Sequence, residues 1–189
     1  TYVPHIRKIM ESMIDPKEII FVVDENNNPL PPQRRSIAHS KKLWHRTTGI
    51  WVINPKGYIL TQKRSIQKDI NPGRWEAFFG GHLAAGEEFF HNAVNELSQE
   101  LGVEVIPKNL IPYDKVVKSD KPHHKEFQQI FAYRLDRDDV DFPFEKEEID
   151  EMQWRSIDEI KDFLVIKKDQ NWVLKAWDEE VLEWITSLL

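Results

Sequence analysis

The stretch from Gly80 to Val103, GGHLAAGEEFFHNAVNELSQELGV, restricts the fold more than any other part of this chain. Phe90, Ala93, Val94, Leu97 and Leu101 recur at i, i+3, i+4, i+7 and i+11, one apolar stripe at helical period. Gly102 stands where a helix of that length closes on a glycine cap. A helix with one apolar face must lay that face on something. Its flanks are strand-like: EIIFVV, TTGIWVIN and YILTQKR precede it, the last two joined by the turn PKG into a hairpin, and WEAFFGG leads into it. VEVI, LIPYDKVVKS, EFQQIFAYRL and EIDEMQW follow as four more short runs. Strands and helices mix without strict βαβ alternation, which predicts an α+β architecture with helices covering a mixed sheet.

Residues 4–14 read as a short helix, DENNNP as an Asn-rich turn and NPLPPQRRS as a proline-rich loop. Ser156 ahead of an acidic first turn starts a helix in SIDEIKDFL. The last segment, QNWVLKAWDEEVLEWITSLL, is helical, with Val173, Trp177, Val181, Trp184 and Leu188 on one side. A length of 189 residues, 40% hydrophobic, is sufficient for one full core. The expectation is a single domain over 1–189, with residues 1–40 as an N-terminal extension and 165–189 as a C-terminal helix. A formal charge of −6 argues against nucleic acid or an anionic membrane as the main partner, because both need a cationic field. No cysteine is present, which removes disulfides, thiolate zinc sites and thiol catalysis and fits a cytoplasmic protein. No apolar run is long enough to span a bilayer, and TYVPHIRKIMESMIDPKE lacks a signal-peptide core.

On the helix, Glu96, Gln99 and Glu100 lie three and four apart and converge on one face. Three oxygen donors at one spot suit Mg²⁺ or Mn²⁺. Glu87 opens the same helix, and the glycines of GGHLAAG let backbone approach a ligand closely. The plainer alternative is a solvated pair of acids, with Glu87 and Glu88 serving the helix dipole.

Gly81, Glu87, Asn95, Glu96, Leu97, Gln99, Glu100, Gly102 and Val103 resemble the Nudix box, with seven of nine defined positions matching in register. HRTTGIWVINPKGYILTQKRS, KDINPGRWEAFFGGH and EIDEMQWRSIDEI are similar to the corresponding stretches of Nudix proteins near type I isopentenyl-diphosphate isomerase. The resemblance implies a Nudix α/β/α sandwich and a metal held by Glu96, Glu100, Gln99 and the Gly81 carbonyl. Two positions depart. Asn95 replaces an arginine whose guanidinium orients a carboxylate through two hydrogen bonds. Gln99 replaces a glutamate, so a neutral amide lowers the ligand charge on which affinity depends.

The isomerase branch also implies a second metal site from His39, His45 and His82 with Glu126 on a later strand; surface hydrogen bonding is the alternative role for such histidines. That branch uses a cysteine where this chain has Gly80, so half of its proton-transfer machinery is missing. Arg64 and Lys68 match positions that grip diphosphate. Trp154 stacks on a base or lines the pocket, or else packs in the core. His123 and His124 fall in a charged, solvent-exposed loop.

The expected activity is hydrolysis of a phosphoanhydride in a small diphosphate compound, usually a nucleotide derivative. Glu96, Glu100 and Glu126 are its catalytic residues, Arg64, Lys68 and Trp154 bind substrate, and His82 joins the metal ligands. A Nudix-fold module that binds without cutting is the rival reading, and dimerisation through the aromatic C-terminal helix stays open.

Overall fold

A computed structural model describes residues 19–122 and 124–189, so the helix expected over 4–14 and His123 lie outside the described residues. β1 (Ile19–Ile20) pairs with β3 (Gln33–Arg34) as a small two-stranded sheet. The main sheet runs β6 (Trp75–Glu76), β5 (Ile59–Arg64), β4 (Trp44–Ile53), β8 (His124–Arg134) and β7 (Leu110–Lys121). β2 (Val22–Val23) adds to β4, and β9 (Ile149–Arg155) adds to β5. β4 and β8 are parallel from His45↔Glu126 to Ile53↔Arg134, while their other pairings within the sheet are antiparallel, so the sheet is mixed.

β4 and β8 lie at the centre of the sheet and are buried on both faces, as central parallel strands are. Alternation along β4 sends Trp51 and Ile53 to one face and Ile50 and Val52 to the other. Ile50 and Val52 meet Ala93, Leu97 and Leu101 of helix α2 (Phe89–Leu101), which carries the box; helix α1 (Arg35–Ser40) precedes β4. Trp51 and Ile53 meet Ile160 of α3 (Ile157–Lys161) and Val181, Leu182 and Ile185 of α4 (Asp178–Ser187). Helices thus cover both faces, the expected α/β/α sandwich. Phe90 falls short of the stripe: it is largely exposed and meets Phe131 edge-on.

Gly102 ends α2 at φ +63°, its N–H donating to the Ser98 carbonyl. A Cβ there would also come within 2.6 Å of Pro143, so both backbone and packing require glycine. Ser156 caps α3 in a reciprocal box: its hydroxyl accepts from the Glu159 N–H, and the Glu159 carboxylate accepts from the Ser156 N–H. Ser156→Ala should lower unfolding free energy by about 1 kcal/mol, measured by urea titration. No change would mean that packing alone holds this turn.

Four sequence expectations are corrected. VEVI forms no strand; it pairs with none among the described residues, and the Ile106 N–H donates to the Tyr133 hydroxyl. WEAFFGG is a strand only at Trp75–Glu76, continued by single bridges at Phe79 and His82. The proline-rich loop gives way to β3 and α1, and α1 carries His39. The C-terminal helix begins only at Asp178. Residues 171–173 instead hydrogen-bond along Trp75, which both accepts the Val173 N–H and donates to the Asn171 carbonyl.

Candidate metal and diphosphate site

The loop after β6 runs along the middle of β4 and beside α2 and brings their polar groups together. The Thr48 N–H donates to the Gly81 carbonyl, and the Thr48 hydroxyl donates to Asn92 Oδ1. The Gly80 N–H donates to Glu100 Oε2 at 3.1 Å. At Gly81 an added Cβ would lie 2.9 Å from Glu96 Oε1, so the bare glycine lets the loop settle against that carboxylate. Glu96 and Glu100 are half-buried one turn apart beneath this loop, and Gln99 is exposed on its outer side.

Glu87 lies two residues before α2 rather than in it, and it secures the loop: its Oε2 accepts from the Ala84 N–H and from Asn92 Nδ2. Asn95 Nδ2 donates to Glu87 Oε1 at 3.3 Å. Two asparagine amides therefore orient the Glu87 carboxylate, one of them Asn95, which stands where the resembled pattern has arginine. Asn92 was missed in the sequence, yet a polar residue three before Asn95 on a helix signals this pairing.

His39, His45 and His82 each bring a ring nitrogen within 4.8 Å of the others. His39 Nε2 and His82 Nε2 are 3.2 Å apart. His45 Nδ1 meets the Leu43 carbonyl, and its Nε2 is buried with no hydrogen-bond partner among the described residues. A buried ring nitrogen without a partner is costly unless something else satisfies it. Burial first, then the neighbouring histidines, lowers His39 to about 4 and drives His82 well below the usual imidazole value. Burial lowers His45 also. Neutral imidazoles at neutral pH are the form that ligates, so the donor set fits a divalent transition ion. His124 lies half-buried on β8 with its ring 6.1 Å from that of His39, rather than in an open loop.

Glu126 stands beside His45 in register and is buried. Its Oε1 accepts from Lys175 Nζ at 2.6 Å and its Oε2 from the Thr47 hydroxyl at 3.2 Å. Burial pushes this carboxyl up, but the Lys175 ammonium and then His45 outweigh it and leave Glu126 below the ordinary value. The Gln128 amide covers Gly49, where a Cβ would come within 2.7 Å of it, and donates to Thr47. Lys175 had no place in the sequence reading; a single lysine within the apolar run WVLKAW was its available signal.

Asp178 fastens the segment that delivers Lys175 by accepting the Lys175 N–H at 2.7 Å. Burial raises its carboxyl from 3.8 to about 7, against the Lys175 N–H and the Lys175 and Lys121 charges. Between those values the folded chain keeps a proton that the unfolded chain releases. This contribution is complete below 3.8 and lost as pH rises through about 7. Asp178→Asn should match the wild type in acid and exceed it near pH 8 by on the order of 2–4 kcal/mol. Melting temperatures across this range check it, and parallel curves would refute it.

Arg64 and Lys68 sit at the far end of β5. Arg64 Nε donates to the Ile70 carbonyl and its Nη1 lies 3.3 Å from the buried Glu76, while Lys68 Nζ lies 2.6 Å from Glu148. Burial raises the Glu76 carboxyl, chiefly against the pull of Arg64 and then Lys175. Lys175 therefore acts on both Glu76 and Glu126, which ties the two ends of the region together. Trp154 packs against the α2-side core and donates Nε1–H to the Asp139 carbonyl.

The family profile described as NUDIX domain matches residues 43–184. The chain is 28% identical over 160 residues to an uncharacterised Nudix hydrolase of Clostridium acetobutylicum, covering 81% of this chain and 77% of that protein. It is 27% identical to an isopentenyl-diphosphate Delta-isomerase of Photorhabdus laumondii over 72% of this chain and 76% of that one. An uncharacterised Nudix hydrolase of Yersinia pestis is 37% identical, but the match spans only 50% of its length. Among solved structures, a Deinococcus radiodurans protein superposes with TM-score 0.65 at 18% identity, covering 89% of this chain and 99% of that one. A MutT protein of Methanosarcina mazei gives 0.57 at 20% identity, covering 77% and 94%. At these identities the superpositions bear on the fold.

Proposed function

This chain belongs to the Nudix family, and from that premise we propose that it is a divalent-metal-dependent hydrolase of a phosphoanhydride. Its substrate class is a nucleoside diphosphate derivative or a similar small diphosphate. The observation that carries this reading is the half-buried Glu96–Glu100 pair beneath Gly80 and Gly81, tied to the loop by the Gly80 N–H. Glu96 and Glu100, with Gln99 and the Gly81 carbonyl, would hold Mg²⁺ or Mn²⁺, and His82 belongs to the neighbouring histidine cluster. Such an ion supplies Lewis-acid polarisation of the diphosphate and a more acidic water.

The chain's own groups do the rest. Glu96 is the favoured acceptor of the water proton, because Glu126 already accepts hydrogen bonds on both oxygens. Arg64 and Lys68 would turn from Glu76 and Glu148 toward phosphate oxygens, with Arg64 giving paired hydrogen bonds. Trp154 would stack on a base only by giving up its bond to Asp139. No helix among the described residues is long and apolar enough to cross a membrane.

The exposed, uncharged Gln99 and the Asn95 replacement favour a second reading, a Nudix-fold module that binds a nucleotide or diphosphate without cutting it. A panel of nucleoside diphosphate derivatives with Mn²⁺ separates the two. Phosphate release supports the hydrolase, while a thermal shift without release supports the module. The isomerase reaction named among the relatives lacks its thiol here, and absence of solvent label exchange into isopentenyl diphosphate would confirm its loss.

A further inference from the structure

The three histidines stand beside a buried carboxylate, and yet that carboxylate is not among the atoms that converge. Glu126 faces Lys175 instead, at 2.6 Å, with both side chains largely shut off from solvent. The lysine is not there by chance of a loose surface loop. Its segment is clamped on both sides, by the Val173 N–H on the Trp75 carbonyl at 2.8 Å and by Asp178 on the Lys175 N–H. Its ammonium also lies 5.4 Å from the Trp177 ring and 5.9 Å from that of Phe78, so an aromatic wall backs the charge.

A carboxylate held this way has its charge matched and both oxygens engaged. Each oxygen keeps a lone pair, but to reach the histidine nitrogens the carboxylate would have to turn from its buried partner and leave an ammonium unpaired, which is unfavourable. Among the described residues, neutral nitrogen donors alone then converge at the cluster. Such a set suits borderline ions such as Co²⁺ and Zn²⁺ and suits Mg²⁺ poorly, since Mg²⁺ demands oxygen ligands.

We propose that Lys175 is a built-in cation that withholds Glu126 from the histidine cluster and so makes it a three-imidazole site for borderline divalent ions rather than for Mg²⁺. This rests on the reading of His39, His45 and His82 as metal ligands. It makes Lys175 a positioning residue that sets metal preference through Glu126.

Co²⁺ is the probe, because its visible absorption reports imidazole ligation directly. Titrations compare the full chain with Glu126→Gln, Lys175→Met, the double variant and His45→Ala, with Mg²⁺ added as competitor. Glu126→Gln alone leaves the Lys175 ammonium unpaired beside the cluster and should weaken Co²⁺, so the charge-balanced double variant is the deciding comparison. Lys175→Met should release Glu126, tighten Co²⁺ about ten-fold and let Mg²⁺ compete. Lys175→Met/Glu126→Gln should return to native affinity. Lys175→Arg, which keeps the cation, should bind as the native chain does.

A loss of ten-fold or more in Lys175→Met/Glu126→Gln, which removes both charges together, would make Glu126 a ligand and overturn the proposal; where that chain does not fold, Lys175→Gln/Glu126→Gln, a neutral hydrogen-bonded pair, makes the same comparison. A Co²⁺ spectrum unchanged by His45→Ala would instead remove the metal reading of the cluster, and the proposal with it. The two failures are therefore distinguishable.

Discussion

Glu100→Gln should lose divalent-dependent turnover by about 10²–10³-fold, the scale seen when one preorganised electrostatic group is removed from a phosphoryl or acyl transfer site. The variant should keep its fold. Glu100 Oε2 accepts the Gly80 N–H at 3.1 Å, and a glutamine carbonyl can accept the same bond. What disappears is one negative charge of the helix pair, in a set already reduced by Gln99. Affinity for Mg²⁺ or Mn²⁺ should drop along with turnover, because hard-ion affinity follows ligand charge. Paired measurements check this: a metal titration of hydrolysis and a thermal melt. Native rates from a well-folded Glu100→Gln chain would take the helix out of the mechanism. The converse substitution, Gln99→Glu, restores a charge at an exposed position and should raise metal affinity without moving the melting point.

Gly80→Cys should destabilise the chain by about 4 kcal/mol, lowering the melting temperature by roughly 8–16 °C. A Cβ at Gly80 would lie 2.2 Å from the Thr48 carbonyl oxygen and 2.8 Å from its carbon, and the backbone sits at φ +139°. The obstacle is central-strand backbone, which cannot give way as a flexible side chain would. Gly86 is the control. It also has positive φ, +76°, but nothing among the described residues lies within 4 Å of its added Cβ. Gly86→Ala should therefore cost about 1 kcal/mol, the strain of the left-handed backbone alone. Equal melting points for the two variants would show that the loop does not follow this path over Thr48. The comparison also explains why the thiol of the isomerase branch cannot simply be restored: the loop in this chain passes too close to β4 to admit any side chain at position 80.

Much of the candidate site was legible from spacing. Glu96 and Glu100 share a turn because four residues bring a helix back to the same face, and Gly102 ends that helix because left-handed backbone favours glycine. The apolar stripe placed α2 on the sheet, although Phe90 overestimated its width. Ser156 and Glu159 closed the cap that their separation implied.

Other features had no local signature. The histidine cluster unites α1, β4 and the loop before α2; the resemblance named its three members, but the buried His45 nitrogen is defined only by what surrounds it. The ion pairs of Arg64 with Glu76 and of Lys175 with Glu126 join residues far apart in the chain. In the C-terminal segment, helical period was present in the residues from Val173 onward, yet unpaired backbone groups of Trp75 captured residues 171–173 in an extended form.

The chain alone therefore determined the alternation of strands, the box helix with its carboxylates and the glycine beyond its end, because those depend on periods and backbone preferences that neighbours in sequence carry. Tertiary structure alone decided which carboxylate faces a cation, which ring nitrogen is left buried and where the last helix begins. Each of these is a competition between distant partners for a buried hydrogen bond or charge, and only the packed sheet brings the competitors within reach.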